Sequence, residues 1–184
     1  MIHRATLIGC SLLVAACAGN APRDHDVIAP AVLELRLAPA SLGRELALQQ
    51  QLSFRSGQDQ HSFDALLEAD ANEVRLDIQR MGQSAMRLRW DGRRLEQHRA
   101  AWLPKSVSGE EILDDLQLAN WPAPAIRAAL PAGWSLVEDG DSRQLRNGGR
   151  TIVTVRYPAP DRVEIEHADF RLSIVSVPVQ QSIR

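Results

Sequence analysis

Apolar and polar residues alternate one for one along most of this chain. Leu46, Leu48, Leu52 and Phe54 are interleaved with Glu45, Ala47, Gln49, Gln51, Ser53 and Arg55, and a turn at Ser56-Gly57 follows. The period of two continues through Phe63, Ala65 and Leu67, through Val74, Leu76 and Ile78, and through Met86, Leu88 and Trp90, up to the hairpin signal Asp91-Gly92. After an interruption it resumes at Trp134 and Leu136, with Leu145, then Val153, Val155 and Tyr157, Val163 and Ile165, and Phe170, Leu172 and Ile174. Turns fall at Asp139-Gly140, Asn147-Gly148-Gly149 and Pro158-Ala159-Pro160. Each such strand has one apolar and one charged face, and the links are too short for crossover helices, so neighbours are predicted to be antiparallel. About ten of them in a flat open sheet would leave the apolar side wet, so the sheet must curl. The predicted fold is mainly β, a curved, half-open antiparallel β-barrel.

The interruption, from Val107 to Trp134, changes period. Ser108 and Glu111 have the spacing of a capping box, in which hydroxyl and carboxylate each satisfy an otherwise orphan amide, and Glu110 sits beside the positive helix end. Ile112, Leu113, Leu116 and Ala119 then share one stripe, and Asp114, Asp115 and Gln117 are predicted to face away from it. Trp121-Pro122 ends this helix. A second one starts at Pro124, buries Ile126, Ala129 and Leu130, and stops at Pro131-Ala132-Gly133. About twelve helical residues span roughly 18 Å, enough to cross about four strands. The insert is predicted to be a short helical lid between strands, hinged at Gly109, Pro122, Pro131 and Gly133.

Composition removes whole classes of function. With 45% hydrophobic and 24% charged residues and a formal net charge of -2, the chain lacks the basic surplus of a nucleic-acid binder. Its single lysine, Lys105, stands against twenty arginines, but these alternate with acids along the strands and read as a solvated face. No G-x-S-x-G elbow, P-loop, G-x-G-x-x-G or H-E-x-x-H occurs, and His25, His61, His98 and His167 have no ligand spacing. The pairs Glu110-Glu111 and Asp114-Asp115 read as helix capping and solvation, and Glu164 and Glu166 as the wet side of a strand. No catalytic residue, metal site or cofactor is predicted.

Met1 to Cys17 reads as a targeting segment, with His3 and Arg4 before an apolar run from Ala5 to Ala16. A run of twelve residues is too short to span a bilayer, which needs roughly 20. Val14-Ala15-Ala16-Cys17 resembles the lipobox of bacterial lipoproteins, which implies a signal peptide over 1–16 and acylation of Cys17. The residue after the cysteine is Ala18, and in that family's sorting rule the absence of aspartate there implies the periplasmic face of the outer membrane. Both cysteines, Cys10 and Cys17, lie in this segment, so the mature domain has no disulfide. Residues 17–41 are expected to be a flexible tether, 42–177 the barrel domain and 178–184 a tail.

The tryptophans Trp90, Trp102, Trp121 and Trp134 flank the insert, and two readings of them stay open. They fill the core beneath the lid, or they line an apolar cavity. In the second reading Leu46, Leu48, Phe54, Leu67, Tyr157 and Phe170 line it with them, and Ile112, Leu116 and Ile126 close its mouth.

Leu42-Gly43-Arg44, Leu88-Arg89-Trp90-Asp91-Gly92, Ile112-Leu113-Asp114-Asp115-Leu116-Gln117-Leu118, Trp121-Pro122-Ala123 and Ala128-Ala129-Leu130-Pro131-Ala132-Gly133-Trp134 resemble an uncharacterised family of LolB-like lipoproteins. Members of that family are encoded in clusters that make aryl polyene or fatty-acid-like lipids. The order of parts is similar to that of the outer-membrane receptor LolB and its periplasmic partner LolA, and the resemblance covers roughly Leu42 to Val177. It implies a barrel that holds acyl chains in transit to the outer membrane, with membrane lipid or lipidated cargo as ligand and a periplasmic LolA-like carrier as partner. The membrane-facing loop of LolB corresponds by position to residues 79–84, where Met81 alone is apolar. That departure points to a different lipid cargo, or to a partner protein at the loop. The alternative is a non-catalytic envelope scaffold, its barrel filled by its own side chains, that docks lipid-synthesis or export proteins.

Overall fold

The computed structural model describes residues 33–104 and 107–179. The expected signal peptide, Cys17, most of the tether, Lys105 and the end of the tail lie outside them. Strands β1 (Leu46–Ser56), β2 (Asp59–Ala69), β3 (Val74–Arg80), β4 (Gln83–Trp90) and β5 (Leu95–Arg99) form one meander. A second consists of β6 (Trp134–Asp139), β7 (Ser142–Asn147), β8 (Arg150–Ala159), β9 (Arg162–Glu166) and β10 (Arg171–Pro178). They make one curved, open, ten-stranded antiparallel sheet in the order β5-β4-β3-β2-β1-β10-β9-β8-β7-β6. The meanders meet at β1 and β10, from Leu48 opposite Pro178 to Arg55 opposite Arg171. The edges β5 and β6 do not pair, and the chain between them carries α1 (Gly109–Asn120) and α2 (Ala123–Ala129).

Alternation explains the two faces of the sheet. Leu52, Leu67, Val74, Leu76, Met86 and Leu88 are buried on the inner face. Outside, Glu73 pairs with Arg75 at 2.9 Å and Arg89 at 2.6 Å, and Asp77 with Arg87 at 3.3 Å. Such exposed pairs contribute little each but keep the outer face wetted. Two of the links, β2–β3 and β4–β5, are Asx turns: Asp70 Oδ1 accepts from the amides of Asn72 and Glu73, and Asp91 Oδ1 from those of Arg93 and Arg94. Strand β5 has no apolar signal because, as an edge, it buries none of its residues.

The expected tether ends earlier than residue 41. Leu35 and Leu37 are buried, and Pro39–Leu42 forms a 3₁₀ turn with Pro39 and Leu42 buried. This segment is a strap across α1. Leu35 N donates to Asp114 Oδ1 at 2.8 Å, and Gln117 exchanges two bonds of 3.0 Å with the backbone of Leu37. Asp114 and Gln117 therefore do not face solvent as expected, Gln117 is wholly buried, and Asp115 is buried beside His167. An apolar stripe reveals only an apolar partner. The opposite face of α1 packs on extended backbone, whose amides and carbonyls require polar side chains.

The helical lid is held at both ends. Gly109 N donates to Gln97 Oε1 at 2.9 Å, and a Cβ at position 109 would displace the Gln97 side chain, so this glycine permits a close approach. At the other end the carbonyls left over by the helix are taken up: Arg143 Nη1 reaches Leu118 O at 3.1 Å and Trp121 O at 2.7 Å, and Tyr157 Oη donates to Ala119 O at 2.8 Å.

Candidate functional site

Between α1 and the inner face of the sheet lies a cavity of about 430 Å³. Strands β2 to β4 supply its floor through Leu67, Leu76, Ile78, Ala85 and Met86, and α1 its roof through Ile112, Leu116 and Ala119. Leu52, Ile165, Leu172 and Ile174 complete the walls. It opens at the β1–β2 hairpin, where Ser56 and Asp59 meet Asp169, Phe170, Pro104 and Val107. Its volume falls within the roughly 300–1,000 Å³ of small-molecule sites, and a mostly apolar lining with a few polar groups, here at the mouth and at Gln50 and Asn120, is the usual composition of such sites.

Of the residues expected to line a cavity, Phe54, Leu67, Ile112, Leu116 and Phe170 do so. The others lie elsewhere. Trp90 and Trp121 are fully buried at the closed end, where Trp90 Nε1 donates to Leu37 O at 2.7 Å and Trp121 Nε1 to Ser41 Oγ at 3.1 Å. Each indole thus fills core and finds its hydrogen-bond partner in the strap. Trp102 is 46% exposed, and Trp134 is half-buried at the start of β6. Leu46 and Leu48 pack partly against the core, Ile126 is a buried residue of α2, and Tyr157 bonds the end of α1. Met81 is 92% exposed at the tip of the β3–β4 turn, with a φ of 51°.

Beside the mouth is a polar cluster that alternation did not disclose. His167 Nε2 lies 2.9 Å from Asp115 Oδ1 and 3.1 Å from Oδ2, and the His167 ring stacks on Phe170 at 4.2 Å. Phe170 in turn lies 5.2 Å from Phe54. Burial draws the His167 pKa down, but the hydrogen bond to Asp115 and the charges of Asp115, Glu111 and Asp169 outweigh it and leave the imidazole above its ordinary value. Glu111 is pushed up, first by burial and then by the charge of Asp115. Asp114, on the strap side, is raised to about 7, mainly by burial.

Only half of the expected capping box forms. Ser108 Oγ accepts from Glu111 N at 3.1 Å, but the Glu111 carboxylate lines the cavity with no hydrogen-bond or ion-pair partner among the described residues. No described hydroxyl is bonded to His167, and the described residues contain no cluster of three or more groups that could hold a metal ion. The arrangement suits holding an apolar molecule with its polar end at the mouth.

A family model with the description "Protein of unknown function (DUF3261)" matches residues 47–178. Among solved structures the chain is similar to a LolA superfamily protein from Nitrosomonas europaea, at 11% identity and a TM-score of 0.46, over 83% of this chain and 96% of that one. No curated protein matches.

Proposed function

For this chain, which belongs to the DUF3261 family, we propose that the domain binds an apolar acyl or polyene chain, or the acyl chains of a lipoprotein, and assists its placement in the outer membrane. One observation carries this reading: the apolar cavity of about 430 Å³ between α1 and the sheet, open at one end. The barrel is thus not filled by its own side chains, as the scaffold alternative requires. The lipobox-like Val14-Ala15-Ala16-Cys17 supports attachment through an acylated Cys17 at the periplasmic face, with a LolA-like carrier as partner and Met81 facing the bilayer.

Binding of uncharged alkanols of increasing length tests the reading. Each methylene that enters the cavity contributes about 0.8 kcal/mol, so affinity should rise roughly fourfold per carbon until the cavity is full. Leu116→Glu should abolish binding and Ile174→Trp, which fills the space, should shorten the longest chain accepted. Trp134→Glu, away from the cavity, should leave binding intact. Absence of any length dependence in the wild type would return the scaffold reading to first place.

A further inference from the structure

The alternation that builds the inner face of the sheet breaks at one place in each of two neighbouring strands. The inward positions of β1 are Leu46, Leu48, Gln50, Leu52 and Phe54, and those of β10 include Leu172, Ile174 and Ser176. The two polar exceptions are directly opposite each other, and Gln50 Nε2 donates to Ser176 Oγ at 3.0 Å. Gln50 is only 9% exposed and lines the cavity, in the same row across the sheet as the floor residues Ile78 and Met86. Phe54, at the mouth, is four residues away on the same strand, about 13 Å. The polar step therefore lies deep among apolar side chains.

Its hydrogen bonding is incomplete. A carboxamide offers two N–H donors and an oxygen with two acceptor positions. Ser176 takes one N–H, and among the described residues the Gln50 oxygen has no partner. No fully enclosed side-chain oxygen or nitrogen among the described residues is left unbonded, so this oxygen faces open space, which at Gln50 is the cavity. Folding alone does not call for a polar pair here, since replacing both partners of a hydrogen bond by apolar groups is nearly neutral. An amide steadied by Ser176 and left half-bonded is completed by a group on the ligand. A hydroxyl suits it, because it can donate to the oxygen and accept from the remaining N–H, whereas an ionised group costs far more to bury at this depth.

We infer that Gln50 is a specificity-determining residue of this cavity: it receives a hydroxyl carried on the bound chain about 13 Å in from the mouth, so hydroxylated chains are preferred over plain chains of other lengths and patterns. The inference rests on the proposed binding of an apolar chain and names the kind of chain. Ser176 is the positioning residue that aims the amide. The roof carries a second carboxamide, Asn120, whose Nδ2 is used on Leu116 O at 2.9 Å and which serves as the control.

Alkyl glucosides of about eight to twelve carbons and their ω-hydroxy analogues test this, displacing a neutral fluorescent probe from the full chain carrying Cys17→Ser. The sugar stays outside, and each pair differs by one oxygen at the buried end, so charges at the mouth cancel in the comparison. Burying an unbonded hydroxyl should weaken binding about tenfold or more. In the wild type that penalty is expected to vanish or reverse at one chain length, the one that sets the hydroxyl beside Gln50, and to stand at the others. Gln50→Leu should restore it there, shifting the ratio of the two affinities by about tenfold while the plain glucoside binds at least as tightly as before. The double variant Gln50→Leu with Ser176→Ala removes both partners and should behave alike, its melting temperature checking that the fold is kept. Asn120→Ala should leave the ratio unchanged. A hydroxyl penalty equal at every length in the wild type overturns the inference and leaves the cavity reading standing. A favoured length that survives Gln50→Leu, or that Asn120→Ala abolishes as fully, also overturns it. If neither the probe nor any glucoside binds, the proposed function itself falls.

Discussion

The two ends of the curved sheet are built from the same alternating strands and finished in opposite ways. At the closed end, Trp90, Trp121 and the strap from Leu33 to Leu42 fill the interior, and every indole N–H is bonded. At the open end, Phe54, Phe170 and His167 stack around a space that nothing fills. Stability is concentrated where the strap adds a second layer to α1, and binding capacity where it does not reach. A substitution should therefore read out mainly as stability at one end and mainly as affinity at the other.

The sharpest way to break that contrast is Trp121→Ala against Phe170→Ala. The first should cost about 3–5 kcal/mol, a large share of a domain's net stability, because it opens a void and orphans Ser41 and Ala38. The second, at a half-buried mouth position, should cost about 1 kcal/mol and loosen ligand binding. Equal losses in denaturant melts would show that the ends are not specialised. Next comes Gln117→Leu, which leaves the amide and carbonyl of Leu37 buried with one partner fewer each, at about 2–3 kcal/mol. Trypsin cleavage after Arg36 should accelerate in this variant.

Asp114 gives a pH-dependent version of the same test. Its folded pKa is raised to about 7 from the 3.8 of an ordinary aspartate, so folding favours its protonated form. That contribution is fully present below the unfolded value and is lost as pH rises through the folded one. From pH 5 to pH 8 the strap end should lose about 2 kcal/mol through this group. Asp114→Asn keeps an oxygen for Leu35 N and cannot ionise, so its melting temperature should fall less than that of the wild type over that window, the remaining slope coming from His167 and Glu111, and exceed wild type at pH 8. A wild-type melting temperature that does not fall between pH 5 and pH 8 would remove Asp114 from the account. The smallest effect is expected at Met81→Ser, within about 0.5 kcal/mol, since the side chain touches little. If the turn faces the bilayer, vesicle association should weaken while stability holds.

Legibility followed burial. Strands with a clean inner face, such as Val74-Leu76-Ile78, were readable by period alone, whereas β5 and β7, with no buried residue and one, were not, or only through Leu145. The strap carries its own alternation, Leu33, Leu35 and Leu37 against Glu34 and Arg36, but it stands where a tether was expected. Large aromatic residues proved a poor guide to the cavity. A void is lined by side chains too small or too distant to close it, and Trp90 and Trp121 close theirs. The Asp115–His167 pair joins residues 52 apart, so no spacing rule could reveal it.

The seam between β1 and β10 has a consequence for the order of assembly. Each meander is made of neighbours in sequence, so each can form from local contacts soon after its residues are available. Their junction pairs the first strand of the chain with the last. Loop closure across that span must precede any reward from the pairing, which slows the final step and leaves two unpaired edges in the interim. The cavity takes walls from both β1 and β10, so it does not exist until the seam closes. A chain synthesised amino end first would complete the walls of its cavity only as its last strand arrived.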